Sequence, residues 1–241
     1  MLDSLSIKVR EDLILDGGPY YNEFHAQEFI KEPWNAFSSL LFFIPIVFWL
    51  IKLKGEYKKN YIILLILPFL FINGLGSTLY HAFRDSAFFL YLDFLPASFM
   101  SFILSSYLWS RLTNNTLKAI VIVVGFYIVG LSCLFVMTKI PALDQFGPNI
   151  AYSIVGASYF IPIIIILVRT NWFKLKLVLL SLLSLGIALM FRILDYPSEN
   201  YFADALPQGT HFLWHAFSVV AVFSMGYYVY YLNKCESLEE I

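Results

Sequence analysis

The sequence predicts an all-α, polytopic membrane protein with seven transmembrane helices, its N-terminus outside and its C-terminus cytoplasmic. Three observations carry that expectation. First, the 241 residues are 59% hydrophobic and 14% charged, well below the roughly 25% charge of an ordinary soluble domain. Second, runs such as LLFFIPIVFWL and YIILLILPFLF recur along nearly the whole chain. A buried soluble core explains one such run but not seven. Third, the basic residues between the runs are divided unequally between the two sides that the count defines.

The spans read as about 35–52, 61–80, 86–110, 117–137, 149–168, 175–194 and 211–232, each near the roughly 20 residues needed to cross the hydrocarbon. They give an outer segment over 1–34, a seven-helix domain over 35–232 and a cytoplasmic tail over 233–241. The first span lacks a basic region directly before it, so it reads as a mature helix and not a cleaved signal. KLKGEYKKN leads out of the first span, and YHAF lies at the outer end of the second. The polar FRDS turn then sends the third back antiparallel to the second. RLTNN follows the third span, and KIPALDQFGPN after the fourth is turn chemistry. RTNWFKLK separates the fifth from the sixth. YPSENYFADALPQGTHF is the longest outer loop and, with Asp195, Glu199 and Asp204 counted in it, reads as solvated, the alternative being a lid over the site.

Lys52, Lys54, Lys58, Lys59, Arg111, Lys118, Arg169, Lys174, Lys176 and Lys234 all fall on one side. The other side holds Arg84, Lys139 and Arg192, with Lys8, Arg10 and Lys31 before the first span. The richer side is cytoplasmic. The opposite side is periplasm in a bacterium and lumen in an internal eukaryotic membrane.

Composition excludes other classes. A net charge of −1 leaves no nucleic-acid footprint, and Cys133 and Cys235 form no disulfide framework or metal pair. The seventh span has no lysine for a retinal Schiff base. The ionisable residues gather at the outer helix ends, whereas a transport pathway spreads them through the bilayer depth.

The four histidines are His25, His81, His211 and His215, and none is in a cytoplasmic loop. His211 and His215 share one helical face at i, i+4, and His81 ends the second span at the same depth. Three imidazoles suit zinc, which in a catalytic site takes three protein ligands and keeps one position open for water. His25 lies apart in the N-terminal segment. Ser77 lies four residues before His81 on the same face; alone, it reads equally well as a packing serine.

Asp93 enters the outer part of the third span, where a lone carboxylate needs a partner. Twelve residues along one straight helix would put it about 18 Å from His81, so only the FRDS turn returns it to the histidines. There it can orient a zinc ligand or take a proton from water. Asp85 reads as turn chemistry. Tyr80, Tyr91, Phe212 and Trp214 read as an interfacial aromatic belt.

The blocks GLGSTLYHAF, LYLDFLP and HFLWHAF resemble the alkaline ceramidase family, within a superfamily of seven-span membrane metallohydrolases. The matching positions are Ser77, His81, Asp93, His211 and His215, and EPWNAFSSL at 32–40 resembles the family's approach to its first span. The resemblance implies zinc held by the three histidines and hydrolysis of a ceramide-type lipid amide to a sphingoid base and a fatty acid.

It also implies calcium as a second cofactor, through an acidic, cysteine-containing segment before the first span. Here that region reads GPYYNEFHAQEFIKE, in which Asn22, Glu23, Glu28 and Glu32 offer oxygens, Glu32 being best placed by similarity. The family's motif is not intact there, and Asp93 follows His81 by one residue more than the ceramidase spacing. In the expected chemistry Asp93 moves the proton and Ser77 donates to the developing oxyanion. Ser77 is a poorer nucleophile, because three metal-bound histidines leave none to activate it. The alternatives are a zinc hydrolase of glycerophospholipid esters and a non-enzymatic receptor-like protein with a structural zinc. The partner in either hydrolase is a membrane lipid.

Overall fold

The computed structural model describes residues 16–140, 143, 147–195 and 205–235. Among them all regular structure is helical, arranged as α1 (Pro33–Lys52), α2 (Tyr61–Phe83), α3 (Ala87–Thr113), α4 (Thr116–Met137), α5 (Gly147–Arg169), α6 (Leu175–Leu194) and α7 (His211–Asn233). On the described residues, α1 to α4, α6 and α7 are each long and apolar enough to cross a membrane. In α5, Ser153–Arg169 is a shorter apolar stretch. The chain is therefore a multi-pass membrane protein.

Local sequence explains the helix limits. Pro33 occupies the first turn of α1, where its missing N–H costs nothing. A 3₁₀ turn at Leu40–Phe42 interrupts α1, directly before Pro45, whose ring removes the donor that the Leu41 carbonyl would need. α2 runs to Phe83, beyond the expected limit at 80, and stops where Arg84 turns left-handed at φ 53°. α3 begins against Ser86, whose hydroxyl accepts from Phe88 N at 3.2 Å. The antiparallel return at FRDS is thus present.

The chain divides into two compact units, one holding residues up to Ala97 with Lys176–Tyr231, the other holding Ser98–Leu175 with residues from Leu232. In the first, glycines allow close helix contacts. A methyl on Gly76 would collide with the backbone of Leu92, and one on Gly226 would meet the Trp49 indole at 2.9 Å. Ser181 Oγ donates to the Ala221 carbonyl at 2.9 Å, joining α6 to α7. In the second unit, Ser105 and Ser158 hydroxyls pair at 2.8 Å, and Trp109 Nε1 donates to Ser158 O at 2.9 Å. Arg111 donates to the carbonyls of Leu232 and Cys235 at 3.3 and 3.0 Å, satisfying the last turn of α7.

The segment before α1 packs inward over its described part. Asp16, Tyr20, Tyr21, Glu23, Phe24 and Glu32 are buried, and Lys31 N and Glu32 N donate to Ala82 O and His81 O at 2.8 and 3.1 Å. One loop expectation needs correction: Asp195 is not a solvated loop residue. It is 1% exposed, and its Oδ1 accepts from Thr210 N and His211 N, capping α7. Lys8, Arg10, Glu199, Asp204 and the tail from 236 lie outside the described residues. Of the turn after α4, the described part includes Leu143 N donating to Ile140 O at 2.8 Å.

Candidate metal centre and catalytic groups

Helical spacing alone aligns Asn73, Ser77 and His81 at i, i+4 and i+8 of α2. α7 adds His211 and His215, with the helix start fixed by the Asp195 cap. The three histidines are 0%, 2% and 2% exposed, and their ring centroids lie 4.8 to 5.1 Å apart. One ligand nitrogen from each falls within 4.8 Å of the others. Helices α2 and α7, 130 residues apart in sequence at His81 and His211, thus bring together the three histidines the sequence singled out. His25 is exposed and outside this group.

The hydrogen bonds fix which nitrogens face inward. His81 Nδ1 lies 2.5 Å from Glu32 Oε2, so the neutral ring donates there and presents Nε2 as a lone pair. His215 Nδ1 lies 2.8 Å from Ser38 Oγ and 3.3 Å from Ser39 Oγ, leaving Nε2 on the inner side. Among the described residues, His81 Nε2 and His211 Nδ1 are buried without a hydrogen-bond partner. A buried polar atom left unpaired costs about 1–3 kcal/mol, and two such atoms within one histidine cluster mark a place for a ligand. Three neutral imidazoles, one oriented by a carboxylate, form a donor set suited to zinc.

The two groups assigned to chemistry stand beside this cluster. Ser77 is fully buried, accepts from Ser39 Oγ at 2.9 Å and lies 3.5 Å from His215 Nε2. The half-buried Asp93 places its carboxylate against the Ser77 hydroxyl, and its backbone carbonyl accepts from Asn73 Nδ2. Gly76 permits this approach by letting α3 lie directly against α2.

A second layer was not anticipated. Arg84, expected as an outer turn residue, is 2% exposed. Its Nε donates to Asp16 Oδ2 at 2.6 Å, Nη1 to Glu32 Oε1, and Nη2 to Pro19 O at 2.8 Å. Burial works against its charge, but Glu32 and Asp16 more than offset that and raise its pKa. Burial pushes the Glu32 carboxyl up to about 7, with Arg84 and Asn35 opposing. Tyr80, expected in the aromatic belt, is instead fully buried with its ring 4.6 Å from the Arg84 guanidinium. Tyr21 covers the histidines, its ring centroid 4.1 Å from that of His211, and burial raises its pKa.

The remaining aromatics fit a surface role. Tyr91 is exposed, Phe212 meets exposed Trp34 at 5.5 Å, and Trp214 lies beneath Arg192 at 5.3 Å.

The oxygens considered for calcium face other partners. Both Glu23 oxygens accept from the backbone N–H groups of Trp34 and Asn35 at the start of α1. Asn22 Nδ2 donates to Asp195 O at 2.6 Å. Glu28 is exposed, and Glu32 is shared between His81, Arg84 and Asn35. These side chains do not form the six-to-eight-oxygen cage that calcium takes.

The sequence carried a signal for Glu32, an acid just before a helix-starting Pro33, but none for its pairing with His81 forty-nine residues on. Ser38, Ser39 and Asp16 carried no signal of their own. A scan of protein-family models finds no match to the chain, and a search of curated proteins finds none.

Proposed function

We propose that the chain is a zinc-dependent intramembrane hydrolase of ceramidase type, cleaving the N-acyl bond of a ceramide-like lipid to a sphingoid base and a fatty acid. The observation that carries this reading is the convergence of three buried histidines in which His81 Nε2 and His211 Nδ1 lack partners. In the proposed topology α5 also crosses, which brings the total to seven. The N-terminus and the site face the periplasm or lumen, and the tail is cytoplasmic. The excess of lysine and arginine in the alternate loops supports that orientation.

His81, His211 and His215 would hold the metal. A zinc held there would supply Lewis acidity, which would polarise the amide carbonyl and make water acidic enough to attack near neutral pH. Asp93 accepts the proton from the attacking water and returns it to the amine nitrogen as the C–N bond breaks. Ser77 donates its hydroxyl proton toward the carbonyl oxygen as that oxygen gains charge. Glu32 holds the His81 ring, and Ser38 and Ser39 hold that of His215. The amide of a lipid lies near headgroup depth, so a site at helix ends meets the bond while the acyl chains stay in hydrocarbon.

The test is incubation of purified protein with a panel of ceramides and glycerophospholipids, beside a His211→Ala, His215→Ala variant. Release of sphingoid base and fatty acid from ceramides alone, absent in the variant, is the expected result. Fatty-acid release from the phospholipids instead would replace the amide by an ester, and no turnover on any lipid would contradict hydrolysis.

A further inference from the structure

The resemblance brings calcium with it, yet a cation already stands among these acidic groups. The Arg84 guanidinium is surrounded by Asp16 Oδ1 and Oδ2, Glu32 Oε1 and the Pro19 carbonyl. All three charged side chains are buried, and the rings of Tyr80 and Tyr21 lie 4.6 and 5.4 Å from the guanidinium carbon. Both Glu32 oxygens are thereby used, one by Arg84 and the other by His81 Nδ1.

We propose that Arg84 is a built-in cation that holds Glu32 against His81, so that the metal site is organised without calcium. Arg84 is a positioning residue that acts on the histidine through Glu32; it does not touch the reacting atoms. The physical reasons are two. A divalent ion and a guanidinium cannot share the same carboxylate oxygens, and this guanidinium makes four hydrogen bonds where it sits. Its planar fork matches two carboxylates at once, a geometry an ammonium cannot reproduce. Its place is also set by the backbone, since Arg84 is the left-handed residue that ends α2, three residues after His81.

Calcium independence of the fold stands without the proposed function, whereas the effect on the zinc site rests on that reading. Both are read on full-length protein in detergent. Calorimetric titration with calcium chloride and thermal melts in calcium or in a calcium chelator come first. The expected result is no stoichiometric binding and coincident melts. Saturable binding of about one calcium per chain, abolished by Glu32→Gln, would overturn the proposal.

The second arm compares zinc affinity and the visible spectrum of cobalt-substituted protein in wild type, Arg84→Lys and Arg84→Ala. The expected loss in metal affinity is about 10- to 100-fold for Arg84→Ala, as for other residues behind metal-bound histidines. Arg84→Lys should recover only part of it, and guanidinium ion should restore the Arg84→Ala spectrum. Affinity and spectra unchanged in both variants would overturn the positioning role, and Arg84→Lys decides this if Arg84→Ala does not fold. A wild-type chain that binds no zinc would instead remove the proposed function, while the calcium arm still reads its own answer.

Discussion

Helices α1 and α7 meet twice, with opposite chemistry. Near one end Ser38 and Ser39 of α1 reach the His215 ring of α7. Near the other, Phe48 and Trp49 of α1 pack on Phe223, Tyr227 and Tyr230 at ring separations of 4.7 to 6.1 Å, and Lys52 Nζ lies 5.0 Å from the Tyr230 ring. The aromatic end satisfies itself, with rings against rings and a flexible cation over them. The polar end does not: beside it, His211 Nδ1 of α7 and His81 Nε2 of neighbouring α2 have nothing to bond among the described residues. One pair of helices therefore carries a contact built for packing and a contact built to receive a ligand, and mutations should separate them.

The largest separation is expected at Asp93. Asp93→Asn keeps the size of the side chain but cannot take the proton, so turnover should fall about 10²- to 10⁴-fold while bound zinc stays at the wild-type level. Zinc lost together with activity would make Asp93 a support for the metal site, not the proton carrier.

At the aromatic end the reverse pattern is expected. Trp49 is 2% exposed and lies against Gly226, so Trp49→Ala should lower stability by about 3–5 kcal/mol. Metal content per folded chain should be unchanged. A melt unaffected by the change would mean that the two helices are held elsewhere.

A smaller effect concerns Glu23, which joins the segment before α1 to the helix start. Burial raises its carboxyl to about 7, although the N–H groups of Trp34 and Asn35 oppose the shift. A raised folded pKa means that the folded state binds the proton more tightly. Its contribution to stability is therefore full below the ordinary value of 4.5 and is lost as pH rises through about 7. Asp195, raised by burial to about 6, acts in the same sense. The melting temperature should fall as pH rises across this window, and Glu23→Gln should flatten part of the slope. An unchanged slope in Glu23→Gln would assign the whole dependence to other groups.

The same contrast explains what could be read in advance. Long apolar runs and an i, i+4 histidine pair are local patterns, and they located the helices, the turn at 84–86 and all three cluster histidines. Ser77 and Asp93 were legible because the turn between their helices was. The supporting layer was not, since the bonds that join it to the histidines and to Arg84 link residues far apart in sequence. Arg84 reaches Asp16 across 68 positions, and His215 reaches Ser38 across 177. Charged residues near helix ends also read as solvated by default, a default that Arg84 and Asp195 break because one makes four hydrogen bonds where it is buried and the other caps α7. The calcium reading of Glu32 recognised an important carboxylate but could not see the arginine opposite it.

The central claim is that three histidines hold one catalytic metal, and zinc content tests it most directly. Purified wild-type protein should carry about one zinc per chain, and His211→Ala, His215→Ala should carry almost none while keeping its helical circular dichroism. Wild-type protein without zinc, after purification free of chelators and in zinc-supplemented buffer, would contradict the account.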